Sequence, residues 1–135
     1  TPTDIQVDDQ LGRAYVTMAG SNELAVIDFR TKTLLGKVPT GARPVHVYMS
    51  PVMPAPAAPA KRTLLDHPVE PVSHELWVGN DAGGSVTIVD GDALRVKATV
   101  ATGNGHHKMG FWGTKGYVSN LTDATVSVVD RTQVK

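Results

Sequence analysis

With 135 residues, 41% of them hydrophobic and 19% charged, the chain has the size and make-up of one ordinary globular domain. Thirteen basic and thirteen acidic residues cancel without forming a block of like charge, which excludes the concentrated positive field that nucleic acids or anionic membranes require. The absence of cysteine removes disulfides, thiolate metal sites, cysteine nucleophiles and covalent haem attachment, and no apolar run approaches the roughly 18–20 residues of a membrane span.

The chain opens on Thr1 with no charged-then-apolar leader, as expected of a processed or trimmed product. The first predicted elements are short strands at Ile5–Val7, Arg13–Met18, Glu23–Asp28 and Thr33–Val38. Apolar residues alternate with polar ones in them, as at Leu24 and Val26, and turns such as Gly20-Ser21-Asn22 separate them. A second set follows at Val45–Met49, Glu75–Gly79, Ser85–Asp90 and Leu94–Val100. The third set runs His107–Phe111, Gly116–Asn120 and Thr125–Asp130, then stops near Gln133–Lys135, where a fourth strand is due.

These sets are copies of one another. Tyr15-Val16-Thr17 returns as Trp77-Val78-Gly79 and as Tyr117-Val118-Ser119, while Val26-Ile27-Asp28 returns as Ile88-Val89-Asp90 and Val128-Val129-Asp130. Copies two and three are offset by 40 residues at both landmarks, and copies one and two by 62. Thr40-Gly41 and Thr102-Gly103 share the offset of 62. A period of about 40 in short β segments is the length of one propeller blade. The predicted fold is therefore all-β: four-stranded antiparallel blades, about three of them, in an incomplete ring. The first blade spans 1–43, the second 44–105 and the third 106–135, with the outer strand of the last truncated. The 22 extra residues fall in an insert at about 50–73 that holds six of the nine prolines, so it is expected to be extended or irregular. Within it, Lys61, Arg62, Leu64 and Leu65 form a basic and apolar patch with two readings, a plain surface excursion or a docking loop for a partner.

The repeats resemble the YVTN family of β-propeller repeats, in which a Tyr-Val-(Thr/Ser)-Asn strand precedes a Val-Ile-Asp strand and a Val-Gly-x-x-Pro turn. Tyr117-Val118-Ser119-Asn120 with Val128-Val129-Asp130 matches closely, and copy one adds Thr40-Gly41-Ala42-Arg43-Pro44. Copy two departs, with Trp77 at the aromatic position and Gly103-Asn104-Gly105-His106 in place of the turn. The resemblance implies a binding or assembly module of periplasmic, secreted or surface-layer type. It also admits the redox propellers, where cytochrome d1 and nitrous oxide reductase hold haem or copper. Propellers close with four to eight blades, so the missing blades are expected from a longer parent chain, from identical copies or from partner proteins.

In a propeller the first strand of each blade lines the channel, and one face collects Gly41–His46, Asp81–Gly84 and Gly103–Lys108. His46, His106 and His107 are the candidate metal ligands, with Met109 nearby making copper a possible ion and haem a second cofactor. Two adjacent histidines on one strand would point to opposite sides, an objection that a turn at His106 relaxes. The competing reading is a solvated channel mouth with no cofactor. His67 and His74 are expected on the opposite face, in solvent. Asp28, Asp90 and Asp130 end equivalent strands and are expected to accept from turn backbone, while Tyr15, Trp77 and Tyr117 are expected to pack between blades. No catalytic motif is present: there is no Gly-x-Ser-x-Gly elbow, no His-Glu-x-x-His and no phosphate loop.

Overall fold

A computed structural model describes residues 1–53 and 72–134. The patch at Lys61, Arg62, Leu64 and Leu65 and the histidine at His67 lie outside the described residues. Among the described residues, eleven strands form three antiparallel sheets. The first sheet holds β1 (Pro2–Asp8), β2 (Arg13–Met18), β3 (Glu23–Asp28) and β4 (Thr33–Pro39) in that spatial order. The second holds β5 (Pro44–Pro51), β6 (Val72–Asn80), β7 (Ser85–Asp90) and β8 (Arg95–Ala101), again in sequence order. The third holds β9 (Met109–Trp112), β10 (Lys115–Asn120) and β11 (Thr125–Asp130). These are β-propeller blades in an open arrangement. Among the described residues no helix is long and apolar enough to cross a membrane.

The third strand of each sheet ends in the same device. The Asp28 carboxylate accepts from the backbone N–H of Arg30 and Thr31, Asp90 from Asp92 and Ala93, and Asp130 from Thr132. A short carboxylate at the strand end satisfies donors that the turn leaves unpaired, which is why aspartate recurs there.

Two apolar clusters fill the gaps between sheets. Tyr15, Leu24, Val26 and Val38 from the first sheet meet Val47, Leu76, Val78 and Val89 from the second. Trp77, Val86 and Ile88 from the second meet Val118 and Val129 from the third, with Met109 and Phe111 against them. Trp77 meets Phe111 edge to face, with ring centroids 5.1 Å apart. The aromatic repeat position thus points each time toward the following sheet. In the third sheet nothing follows among the described residues: Tyr117 is 38% exposed, Val126 63% and Val128 58%. Cross-strand register puts these three on one face, since Tyr117 pairs with Val128 and Ser119 with Val126. On the outward side of the first sheet, Ile5, Val7 and Leu34 are likewise exposed.

The joints between sheets rest on a repeated pair. Gly41 lies so close to Asn80 that an added Cβ would come within 2.6 Å of Asn80 Nδ2, and at Gly103 it would come within 2.7 Å of Asn120 Cβ. Each asparagine donates to two hydroxyls on the next strand, Asn80 to Ser85 and Thr87, Asn120 to Thr125 and Ser127. Thr87 Oγ1 also accepts from the Gly41 N–H.

Four expectations change. The inner strand of the third sheet begins at Met109 rather than His107, because Gly105, at φ +98°, turns the chain and leaves both histidines in the approach loop. The second strand of the second sheet starts at Val72, not Glu75, lengthened by Pro51 pairing with Val72. After Asp130 the chain forms a 3-10 turn, Arg131–Gln133, where a fourth strand was expected to begin. Arg131 is buried there, donating to the Gly113 and Pro51 carbonyls and stacking over Phe111. His74, expected in solvent, is bonded through Nδ1 to the buried Asp8 carboxylate, which also accepts from the Leu11 N–H. Burial alone would raise the Asp8 carboxyl, but these donors outweigh it and hold its pKa below the usual carboxylate value.

Candidate functional site

The loops entering the inner strands and the turn joining β6 to β7 do come together on one face. The Asp81 N–H donates to the Arg43 carbonyl and the Ala82 N–H to the Ala42 carbonyl, tying the β6–β7 turn to the loop that enters β5. The Leu121 N–H donates to the His106 carbonyl in the same way one sheet further on. His46 rides on β5. His106 and His107 sit in the loop between β8 and β9.

The three histidines part company here. His106 is half-exposed, and its Nδ1 lies 2.8 Å from Asp81 Oδ2. His46 is mostly covered, with Nδ1 3.5 Å from Asp4 Oδ2, and its ring centre is 5.7 Å from that of His106. His107 turns inward and is fully buried. Its Nε2 donates to the Gly103 carbonyl at 2.8 Å and stands 3.1 Å from Thr102 Oγ1. Gly79 makes room for it, since a Cβ at position 79 would lie 2.7 Å from His107 Cβ. His107 Nδ1 and Asp81 Oδ1 face each other at 3.5 Å, both buried and neither with a hydrogen-bond partner. Asp81 therefore stands between two histidines, one facing out and one facing in.

Beside the His46–His106 pair lies a concavity of about 670 Å³, lined also by Lys108, Asn120, Leu121 and Val126. Its wall is mostly apolar. Met109 packs against the Trp77 cluster, so its thioether belongs to the core rather than to this rim. Among the described residues, no group of three or more His, Asp or Glu side chains is arranged to hold a metal ion. The structure brings His46 and His106 together and withdraws His107. The sequence reading did not single out Asp81 and Asp4 as partners of these rings. Asp81 has no counterpart in the copies, where Ala19 and Leu121 occupy its place, and that departure from the repeat was the available signal.

The fold has counterparts among solved structures. Hydrazine synthase of Kuenenia stuttgartiensis superposes with a TM-score of 0.72 over 98% of this chain and 33% of its own, at 17% identity. Apo AztD from Citrobacter koseri gives 0.62 over 91% of this chain and 29% of its own, at 14% identity. A second C. koseri AztD structure gives 0.61 over 91% and 30%, at 13% identity. The chain thus spans about a third of the length of each of these proteins. At such identities the likeness establishes the fold, a set of β-propeller blades, and nothing about activity. No protein-family model matches the sequence, and no curated protein sequence matches it.

Proposed function

We propose that the chain is a YVTN-like β-propeller module that works by binding and assembly, its outer faces covered by further blades. One observation carries this reading. Repeat-equivalent side chains are buried wherever a following sheet exists and bare where none does. Ile88 is 0% exposed and its counterpart Val128 58%; Trp77 is 0% exposed and Tyr117 38%. An apolar sheet face of this kind is stable only when covered. A periplasmic or extracellular setting accompanies the reading, in keeping with the secreted proteins that carry similar repeats. The covering blades come from the parent chain, from copies or from partners.

Native mass spectrometry over a concentration series tests it. Association into multiples of the 14.3 kDa chain that Val126→Lys and Val128→Lys abolish is the expected result. A monomer at every concentration rules out copies as the cover, and if the same lysines also leave the melting temperature of the longer parent chain and its binding to partners unchanged, the reading is overturned.

A second reading, a channel that holds a metal or haem through histidine, is favoured by one specific feature, the His46–His106 pair at the rim of the concavity.

A further inference from the structure

We infer that His46 and His106 form a two-imidazole site for a divalent transition ion of the zinc, copper or nickel type, with a carboxylate close to the Nδ1 of each ring. The inference rests on the second reading above and narrows it, leaving His107 and Met109 out of the coordination sphere.

Geometry comes first. Metal–nitrogen bonds of about 2.0–2.1 Å put each imidazole centre about 3.2 Å from the ion, so two rings on one ion at about 110–130° have centres about 5.2–5.8 Å apart. The centres of His46 and His106 are 5.7 Å apart, with planes inclined at 53°. Both rings reach this spacing from different sheets, His46 from β5 of the second and His106 from the loop entering the third.

Chemistry comes second. In each ring Nδ1 faces a carboxylate, Asp4 Oδ2 for His46 and Asp81 Oδ2 for His106. Neither Nε2 has a hydrogen-bond partner among the described residues, and both rings border the open concavity. Neither Nδ1 contact is aligned as a hydrogen bond in this structure, and a small rotation of the His106 ring toward Asp81 would supply the outer-shell bond that usually orients a histidine ligand. Paired imidazoles favour borderline ions over calcium or magnesium, which need oxygen. Two protein ligands leave the remaining positions on the ion to water or to an incoming group, with Lys108 lining the same concavity.

His107 is excluded by its surroundings. It is sealed beneath Gly79 and spends Nε2 on the Gly103 carbonyl. Its Nδ1 faces Asp81 Oδ1 at 3.5 Å without a hydrogen bond between them.

The test is a calorimetric titration of the metal-free chain with zinc, and with copper followed by electron paramagnetic resonance. The expected result is one ion per chain, two coupled nitrogens in the copper spectrum, and loss of that binding in both His46→Ala and His106→Ala. Asp81→Asn is expected to weaken binding by about 10–100-fold without abolishing it. Circular dichroism of each variant confirms that it is folded. One-to-one binding unchanged in both histidine variants would overturn this pair while leaving a metal elsewhere. Binding no tighter than millimolar in the parent chain would overturn the metal reading itself.

Discussion

The indole of Trp77 in the second sheet lies over the backbone of Gly116 in the third, so close that a Cβ at position 116 would stand 2.6 Å from Trp77 Cη2. The indole is the spacer here, seated directly on the third sheet's backbone with no side chain of position 116 beneath it. Phe111 closes the edge of the ring, and Glu75 accepts from the indole Nε1–H at 2.8 Å, so the indole has little freedom to retreat. Gly116→Ala is therefore expected to destabilise the chain by about 1–3 kcal/mol through overpacking. Gly110, with open space where its Cβ would go, is the control: Gly110→Ala should leave the melting temperature nearly unchanged. Thermal denaturation of the two variants side by side checks the contrast.

Tyr15 spans the first joint. Its hydroxyl donates to the Gly91 carbonyl at 2.8 Å, a carbonyl that also accepts from Arg13. Tyr15→Phe should cost about 1 kcal/mol, since Arg13 still satisfies that oxygen. Burial pushes the Tyr15 phenol up to about 12, against the opposing pull of Arg13. The unfolded chain ionises near the ordinary value of 10.0 while the folded chain stays protonated, so this contribution is present below pH 10.0 and lost as pH rises toward 12. Chemical denaturation across that range should show a steeper alkaline decline in the parent chain than in Tyr15→Phe.

Glu75 gives the opposite pH response. Burial would raise its carboxyl, but Lys97, the Trp77 indole and Ser50 outweigh it and hold the pKa below the ordinary 4.5. Stability from this group is present above pH 4.5 and is lost as pH falls through the lowered value. Glu75→Gln should lower stability at neutral pH and flatten the acid limb, read from urea denaturation at a series of pH values.

One repeat position should give two costs. Ile88→Ala empties a fully buried site between sheets and is expected to cost about 2–5 kcal/mol. Val128→Ala, 40 residues further on in the same place of the next copy, should fall within about 0.5 kcal/mol in the isolated chain. If assembly covers that face, the difference should shrink in the assembled form. Equilibrium unfolding below and above the association range measures both.

Much of the fold was legible because its signals repeat. The aspartates at 28, 90 and 130 fall at fixed offsets and each accepts from the turn after it, and of the aromatics at the same offsets Tyr15 and Trp77 pack between sheets as expected while Tyr117 is exposed. What the sequence hid depends on single, unrepeated contacts over long separations. The Asp8–His74 bond links residues 66 apart, and Arg131 reaches Pro51 across 80. At the site, the histidine face was readable from blade register. The inward turn of His107 was not, because it depends on the missing side chain of Gly79 and on the positive φ of Gly105. Nor was the spacing of His46 and His106, which is set by how two sheets lean together.

The glycine–asparagine joint changes what counts as one repeat. Gly41 belongs to the strand-to-strand passage after the first sheet, yet its fit is judged by Asn80 in the second; Gly103 stands in the same relation to Asn120. The hydrogen-bonded sheet and the heritable unit are therefore out of phase. A segment cut after the glycine, where the next sheet begins, would carry a glycine without its asparagine at one end and the reverse at the other. Duplication, grafting or circular permutation should succeed where the breakpoint falls in the β6–β7 turn or before the glycine of a passage, keeping each such couple on one piece, and fail where it falls between a glycine and its asparagine.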